Sequence, residues 1–167
     1  MNKARVGILT ALVLVTRATV SWAGESVPCY QVGTSLVVST AGHKLWLCKA
    51  DSVQGEYPIA IGSGGTDKFK EGDEKTPLGE YLLDEPRPSN RFALFIPVGY
   101  PTERQRKEGR TGGEIGVHGP PRMWRWLGGL TTWTDWTKGC VAVGTTREIE
   151  EVSAWVRKER VSRIILR

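Results

Sequence analysis

The sequence has few metal-binding side chains, and their spacing is unlike that of a metal site. Three cysteines, Cys29, Cys48 and Cys140, and two histidines occur in 167 residues. No C-x-x-C pair or comparable ligand spacing is present, which argues against a zinc site or a zinc peptidase built on the cysteines and His118. No Gly-Lys-Ser/Thr step follows the glycine-rich run that starts at Gly64, so a phosphate-binding P-loop is not supported. We expect no metal and no cofactor.

Apolar runs long enough to cross a membrane are also missing. The apolar run at 6–15 follows a basic N-terminus, and Arg17 interrupts it before it reaches the roughly 20 residues of a spanning helix. Small residues before and at Ala23 fit a signal-peptidase site. We therefore interpret residues 1–23 as a secretory signal peptide rather than an anchor. The mature protein is expected in the periplasm or cell wall, with no stable membrane insertion after cleavage.

A strong charge of either sign is lacking once this segment is removed. The formal charge of +5 includes Lys3, Arg5 and Arg17, and residues 1–23 contain no acid. Removing these three of the 23 basic residues leaves 20 against 18 acidic ones, a charge of +2. This balance gives no electrostatic case for nucleic-acid binding. The 144 residues that remain of 167 suffice for one domain with a sizeable core.

Two residues late in the chain have catalytic potential. His118 stands in a Val-His-Gly step and Cys140 in a Thr-Lys-Gly-Cys step, with eighteen residues between His118 and Thr137. A cysteine is nucleophilic as its thiolate. A neighbouring imidazole can take the thiol proton and leave a thiolate–imidazolium pair. The pattern therefore indicates cysteine acyl transfer.

The residues around the cysteine leave a second interpretation open. Gly139 permits a tight turn, which would direct the N–H groups of Gly139 and Cys140 at a developing oxyanion. However, Val141 and Val143 fit a core strand, and most lone cysteines are small buried hydrophobic residues. From spacing alone, a structural Cys140 is the more common outcome.

The residue pattern predicts a mainly β protein with one helix late in the chain. Thr145 and Glu148 have capping-box spacing, and the helix that they begin is expected to end near Lys158. Apolar residues at 149, 152 and 156 give that helix one buried face. Strands are predicted at 36–38, 45–47, 57–61, 92–96, 114–118, 141–143 and 161–166.

Three other segments are predicted to be irregular. The mixed-charge run 104–110 is interpreted as a solvated loop. Residues 120–136 hold four of the seven tryptophans and are predicted to cover the Cys/His cleft as a loop, with core packing equally open to Trp124 and Trp126. A turn near Pro77 is expected to be held by side-chain hydrogen bonds of Asp73 and Thr76.

The order of these motifs resembles a known family. His-Gly, a gap, Thr-x-Gly-Cys and a short apolar run resemble the active-site signature of the YkuD-type L,D-transpeptidase catalytic domain. HGPP at 118–121 and DWTKGCVAV at 135–143 are similar to the cell-wall branch that reads Trp-Thr-x-Gly-Cys-Ile/Val-Ala-Val. The family's Gly-Asp-x-x-Thr-Pro-x-Gly-x-Tyr run is matched by Gly72, Asp73, Thr76, Pro77, Gly79 and Tyr81.

This resemblance implies a fold and a set of site residues. The fold is a β-sandwich-like mixed sheet with a late helix, in a catalytic domain spanning 34–167. Cys140 is the implied nucleophile and His118 its base. No acidic residue lies nearby in sequence to orient His118, so the carbonyl of Gly119 is assigned that task. Residues expected to shape the site are Gly119, Trp136, Thr137 and Lys138.

The resemblance also implies a substrate, which is the stem peptide of peptidoglycan. An acyl-enzyme on Cys140 would be transferred to an amine acceptor. The alternatives are an L,D-carboxypeptidase or peptidoglycan hydrolase that uses the same residues, and a non-catalytic peptidoglycan-binding module. Lys138 replaces a histidine and Ala142 replaces an arginine or asparagine of the commonest family pattern. If Cys140 is the nucleophile, Cys29 and Cys48, which flank the first predicted hairpin, remain to form a disulfide in an oxidising compartment.

Overall fold

The strands and helices are taken from a computed structural model, which describes residues 28–167. The predicted signal peptide at 1–23 lies outside the described residues. The strands are β1 (Ser35–Ser39), β2 (Lys44–Lys49), β3 (Ser52–Ala60), β4 (Gly79–Leu82), β5 (Arg87–Ser89), β6 (Ala93–Pro97), β7 (Gly116–His118), β8 (Val141–Val143) and β9 (Arg163–Leu166). The helices are α1 (Glu103–Lys107), α2 (Thr146–Glu159) and a 3₁₀ segment (Arg122–Thr132).

The strands form one mixed sheet that curls back on itself. Their order is β4-β9-β1-β2-β3-β8-β7-β6-β5, and β1–β9 and β7–β8 are its parallel pairs. The β4 end of this order meets the penultimate strand at the other end, since Leu83 after β4 forms an antiparallel bridge with Val98 after β6. Gly99 N–H also donates to the Leu82 carbonyl at 2.9 Å. The prediction of a mainly β, sandwich-like mixed sheet is confirmed.

The late helix follows its sequence signals closely. Thr145 Oγ1 accepts from Glu148 N–H at 3.1 Å, and the Glu148 carboxylate accepts from Thr145 N–H at 2.7 Å. Ile149, Val152 and Val156 are buried, and the helix packs against β6 and β8. No helix within residues 28–167 combines the length and apolar character needed to cross a bilayer.

One strand begins earlier than the sequence suggested. β3 starts at Ser52 and forms a hairpin with β2, whereas a strand was predicted only from position 57. The connecting residues Ala50 and Asp51 both have positive φ, 47° and 63°. Two left-handed residues make the tight turn that matches strand twist, but this turn normally carries glycine or asparagine. Without those residues, the sequence gives little sign of the hairpin.

The prediction of a charged loop at 104–110 is wrong over its first half. Glu103–Lys107 is a short helix capped by Thr102, whose hydroxyl accepts from Gln105 N–H at 3.2 Å. Gln105 is buried and donates to the Tyr81 hydroxyl at 2.9 Å. Burial of this one polar side chain attaches an otherwise solvated turn to the sheet.

The tryptophan-rich segment is a series of 3₁₀ turns. Arg122–Thr132 is interrupted at Gly128, where φ is 55° and ψ is −136°. The segment is therefore partly helical, whereas a loop was predicted. Of residues 120–136 only Trp136 lines the cleft that contains His118 and Cys140, so the prediction that the whole segment covers this cleft is wrong. Trp124 packs edge-on against Trp136 with ring centres 4.9 Å apart. The prediction of core packing is wrong for Trp126, because this residue is 82% exposed.

The predicted disulfide between Cys29 and Cys48 is present. Their Cα atoms lie 5.1 Å apart, and both residues are fully buried. They form a small second core with Val32 and Val37. The bond therefore fixes the start of the described chain against β2.

A turn at 68–76 supports the sheet end nearest Cys140. The Asp73 carboxylate accepts from the Lys68 ammonium at 2.7 Å and from backbone N–H groups of Phe69, Lys70 and Lys75 at 2.8–3.1 Å. Thr76 Oγ1 accepts from Gly62 N–H at 2.9 Å. The predicted structural role of these two side chains is confirmed. Burial alone would raise the pKa of Asp73, but these donors hold it well below its ordinary value.

We expect Asp73→Asn to lower the free energy of unfolding by about 3 kcal/mol at pH 7, because it leaves a buried ammonium without a counter-charge. Urea denaturation followed by tryptophan fluorescence measures the change. Asp84→Asn, at an exposed position, is the control and should change stability by less than about 0.5 kcal/mol.

The difference in free energy of unfolding between wild type and Asp73→Asn is also predicted to depend on pH. Because the folded-state pKa of Asp73 is depressed, its stabilisation is fully present above the unfolded pKa of about 4 and is lost as the pH falls toward the folded value. The gap between wild type and Asp73→Asn should therefore close in acid. A gap that does not depend on pH would contradict the ion-pair explanation.

Candidate active site

A parallel strand pair brings the predicted nucleophile and base to one face of the sheet. Val117 in β7 pairs with Val141 in β8, and His118 pairs with Ala142. Paired residues on neighbouring strands point to the same side, and side chains alternate along each strand. Cys140 precedes Ala142 by two positions, so it shares the side occupied by His118. The two residues are thus brought together although eighteen residues separate His118 from Thr137.

His118 and Cys140 line the same cleft, which has a volume of about 470 Å³. One wall comes from the turn before β8, and the other from the β5–β6 hairpin. A second cleft of about 430 Å³ lies on the opposite side of Cys140 and includes Lys68. Glu114, Lys138 and Cys140 belong to both clefts, so the thiol lies where they meet.

His118 is buried in its neutral form. It is almost fully buried, and its Nδ1 lies 2.7 Å from the Gly119 carbonyl oxygen. A carbonyl only accepts, so Nδ1 carries the proton and Nε2 keeps a lone pair. Burial lowers the pKa of His118 to about 4, although the Gly119 carbonyl opposes this, and the nearby Arg91 charge lowers it further. The imidazole is therefore neutral at neutral pH.

Packing fixes the orientation of this imidazole. Its ring stacks on Phe92, with ring centres 3.7 Å apart and planes inclined by 14°. On the backbone side, a Cβ added to Gly119 would lie 2.8 Å from a methyl carbon of Ile149 in α2. A glycine is needed at 119 for the chain to pass this close to the helix. The late helix thus determines where the Gly119 carbonyl points.

Cys140 is protonated in the resting site. Its thiol donates to the Glu114 carbonyl oxygen at 3.4 Å. Burial raises the pKa of Cys140 to about 11; a hydrogen bond from the Gly116 backbone lowers it and the charge of Glu114 raises it. Desolvation thus disfavours both charges of a thiolate–imidazolium pair in the resting site.

The turn before β8 is ordered by Thr137. The Thr137 hydroxyl donates to the Cys140 carbonyl at 2.7 Å and accepts from Gly139 N–H at 3.1 Å. Gly139 N–H therefore already has a partner, and the prediction that it joins an oxyanion hole needs correction. Cys140 N–H remains the candidate donor from this turn.

Gly139 has a conformational task instead. Its φ is +118°, and an added Cβ would lie 2.5 Å from the Lys75 carbonyl oxygen. Only glycine allows this approach. Lys75 belongs to the turn organised by Asp73, so the motif at 72–81 packs directly against the residue that precedes Cys140.

Trp136 and Lys138 border the cleft differently. Trp136 Nε1 donates to the Thr131 carbonyl at 2.8 Å, and its ring centre lies 5.8 Å from that of His118. Trp136 therefore forms a fixed wall, whereas Lys138 is exposed where the two clefts join. Among residues 28–167, no group of three or more His, Cys, Asp or Glu side chains is arranged to hold a metal ion.

Sequence reasoning predicted five of the residues that line the cleft and missed the other eight, which are Arg87, Pro88, Ser89, Asn90, Arg91, Phe92, Phe95 and Glu114. Phe92 was assigned only to a strand, and its contact with His118 depends on strand order. Arg87, Arg91 and Glu114 line the cleft but belong to no motif. The β5 strand, which begins at Arg87, was not predicted because it has only three residues with a proline in the middle. Strand pairing brings these residues to the site.

Comparisons with known proteins identify the family of this chain. A family model described as YkuD, L,D-transpeptidase catalytic domain, matches residues 33–164. A search of curated proteins finds no match.

Solved structures share the fold. The helical cell shape determining protein Pgp2 from Campylobacter jejuni is similar with a TM-score of 0.63 and 22% identity, over 78% of this chain and 46% of that one. Bd1075 from Bdellovibrio bacteriovorus has a TM-score of 0.55 and 27% identity, over 78% of this chain and 46% of Bd1075. An L,D-transpeptidase from Mycobacterium tuberculosis H37Rv has a TM-score of 0.50 and 15% identity, over 80% of this chain and 57% of that protein. The chain thus spans only about half the length of these proteins.

The protonated thiol predicts slow alkylation. We expect iodoacetamide to modify Cys140 slowly at pH 7, with a rate that rises about tenfold per pH unit to pH 10, because only the thiolate reacts. No plateau should occur near the ordinary thiol pKa of about 8.5. Intact mass measures the adduct, and Cys140→Ala is the blank.

The same profile in His118→Ala tests the protonation state directly. It should be nearly unchanged, because the resting imidazole holds no proton from Cys140. A wild-type plateau below pH 7 that disappears in His118→Ala would show a thiolate–imidazolium pair and contradict a neutral site.

Proposed function

The chain belongs to the YkuD-type L,D-transpeptidase catalytic domain family, and we propose that it is a secreted, cysteine-dependent L,D-transpeptidase of peptidoglycan. The observation that carries this proposal is the arrival of His118 and Cys140 in one cleft from adjacent parallel strands. A cysteine kept only for packing would not need an imidazole with a free lone pair in the same cleft. The substrate is a stem peptide, and the reaction is acyl transfer from the L-centre of its diamino acid.

Acylation begins with both groups neutral. As substrate fills the cleft, Nε2 of His118 takes the proton of Cys140, and the sulfur attacks the amide carbonyl carbon. The Gly119 carbonyl stabilises the imidazolium that forms, because it already accepts from Nδ1. Cys140 N–H donates to the developing oxyanion, which is worth about 3 kcal/mol for one such donor.

Collapse of the tetrahedral intermediate breaks the carbon–nitrogen bond. His118 returns its proton to the leaving amine, a D-amino acid departs, and a thioester remains on Cys140. An amine acceptor then attacks the thioester, His118 removes its proton, and the thiol is restored. The second cleft at Cys140 gives the acceptor a route that the acyl group does not fill.

Hydrolysis is the second candidate function. Water in place of the amine would make the same site an L,D-carboxypeptidase. The observation that favours it is Ala142, which is fully buried and offers no polar group where the commonest family pattern has arginine or asparagine. A non-catalytic peptidoglycan-binding module is the remaining alternative, and it requires no reaction at Cys140.

Incubation with purified muropeptides tests the reaction. We expect wild-type protein to gain the mass of an acyl group, and the products to gain a peptide in transpeptidation or lose an amino acid in hydrolysis. Cys140→Ala should form no adduct, and His118→Ala should acylate about 10²- to 10⁴-fold more slowly. Intact mass and muropeptide mass analysis measure both. An adduct on Cys140→Ala, or none on wild type, would contradict the proposal.

Thr137 provides a second test through the turn. Thr137→Val removes hydrogen bonds to Gly139 N–H and the Cys140 carbonyl, so we expect acylation about tenfold slower, from a loss of about 1–2 kcal/mol. Thr137→Ser keeps the hydroxyl and should restore most of the rate. A serine variant that is slower than the valine variant would show that methyl packing, rather than the hydroxyl, matters at this position.

A further inference from the structure

A row of paired residues crosses the sheet beneath the cleft. Arg87 in β5 pairs with Phe95 in β6, Phe95 pairs with His118 in β7, and His118 pairs with Ala142 in β8. All four side chains therefore lie on the same side of the sheet. Neighbouring strands are about 4.8 Å apart, so Arg87 starts two strands from His118. A long guanidinium side chain reaches over the intervening Phe95 into the cleft.

Aromatic rings support the positive charge in this cleft. The Arg87 guanidinium carbon lies 5.4 Å from the centre of the Phe95 ring. Arg91 lies 5.0 Å from the centre of Phe92, the ring that stacks on His118. Stacking of this kind holds a guanidinium plane while its N–H groups stay free for a partner. Both arginines line the cleft together with Cys140.

A carboxylate of the protein itself already contacts Arg87. Glu114 Oε2 lies 3.4 Å from Arg87 Nη2, and both side chains are largely exposed. The backbone carbonyl of the same Glu114 accepts from the Cys140 thiol at 3.4 Å. One glutamate thus joins the reacting sulfur to the guanidinium. An exposed pair of this kind contributes little to stability, so a competing anion can displace it at small cost.

We infer that Arg87 binds a carboxylate of the substrate and that Glu114 occupies this position until substrate arrives. This inference rests on the proposed function and names the group that the substrate must carry. The distance favours the terminal carboxylate of the leaving D-amino acid. That carboxylate is separated from the scissile carbonyl only by an amide nitrogen and Cα, which is close to the span of one glutamate. The carboxylate at the far end of a diamino acid side chain is more distant.

The position of Ala142 explains why a positive side chain from another strand is needed to bind the substrate carboxylate. Ala142 and Arg87 lie at opposite ends of the same row, with Phe95 and His118 between them. The strand that carries Cys140 offers no polar side chain after the nucleophile. The positive charge comes instead from the edge strand β5, and it approaches the cleft from the side of His118.

Three synthetic stem peptides test the inference. One has a free terminal carboxylate, one has a terminal carboxamide, and one has an amidated diamino acid carboxyl group. We expect Arg87→Gln to lower kcat/KM for the first peptide about 10- to 100-fold, mainly through KM, as for loss of a hydrogen bond to a charged group. For the terminal carboxamide, wild type and Arg87→Gln should be equal. Arg87→Lys should be intermediate, because it keeps charge without the fork of donors.

Glu114→Gln tests the displaced carboxylate. It should raise kcat/KM for the free-acid peptide about threefold and have no effect in the Arg87→Gln background, as expected of coupled residues. The matched control is Arg125→Gln, an exposed arginine on the 3₁₀ segment outside the cleft. Arg125→Gln should change neither the rate nor the ratio of acid to amide turnover.

The outcomes separate this inference from the proposed function. Wild-type turnover that requires Cys140, with an acid-to-amide ratio unchanged by Arg87→Gln, overturns the role of Arg87 and leaves the enzyme in place. If Arg87→Gln lowers kcat/KM for every peptide except the one with an amidated diamino acid, Arg87 binds the diamino acid carboxylate. That result overturns the assignment of Arg87 to the carboxylate of the leaving D-amino acid. Without wild-type turnover, calorimetric binding of the free-acid peptide to Cys140→Ala still tests Arg87. Equal affinity with and without Arg87→Gln then rejects the inference.

Discussion

The parallel pairing of β7 with β8 is the constraint on which the site depends. It joins two segments separated by the whole tryptophan-rich insertion, and its register places His118 and Cys140 on one face. A shift of one residue would turn every side chain of a strand to the opposite face. The pairing is kept in register by supports on both sides, namely Ile149 against Gly119 and the Lys75 carbonyl against Gly139. The late helix and the Asp73 turn therefore hold the proposed active site in place as well as the fold.

Burial determines the chemistry that this framework allows. Desolvation moves the pKa of His118 down to about 4 and that of Cys140 up to about 11, so neither group is charged before substrate binds. The proton of the thiol has a local acceptor, the Glu114 carbonyl, while the lone pair on Nε2 of His118 stays free. In the proposed mechanism, bound substrate is needed before the thiol proton of Cys140 moves to Nε2 of His118. In the proposed acylation step, the Gly119 carbonyl and Cys140 N–H would stabilise the charges that form on the imidazole and on the oxyanion.

Much of this could be predicted from sequence because the relevant signals are local. The capping box of Thr145 and Glu148, the side-chain bonds of Asp73 and the glycine before Cys140 each act within a few residues. The early start of β3 was missed because its turn, Ala50-Asp51, adopts left-handed backbone without the usual residues. The predicted role of Gly139 N–H as an oxyanion donor needs correction, because this N–H already donates to the Thr137 hydroxyl. Arg87 and Phe92 could not be found at all, since their place at the site depends on strand order across the sheet.

The protonated thiol also bears on chemical durability. Burial raises the pKa of Cys140, so little thiolate is present at neutral pH, and peroxides and disulfides react with the thiolate. Cys140 shares its chain with a buried Cys29–Cys48 bond, which a reactive thiolate could exchange with. A sulfur kept protonated in the resting protein lets a single free cysteine avoid oxidation in the extracytoplasmic compartment that the proposed function implies.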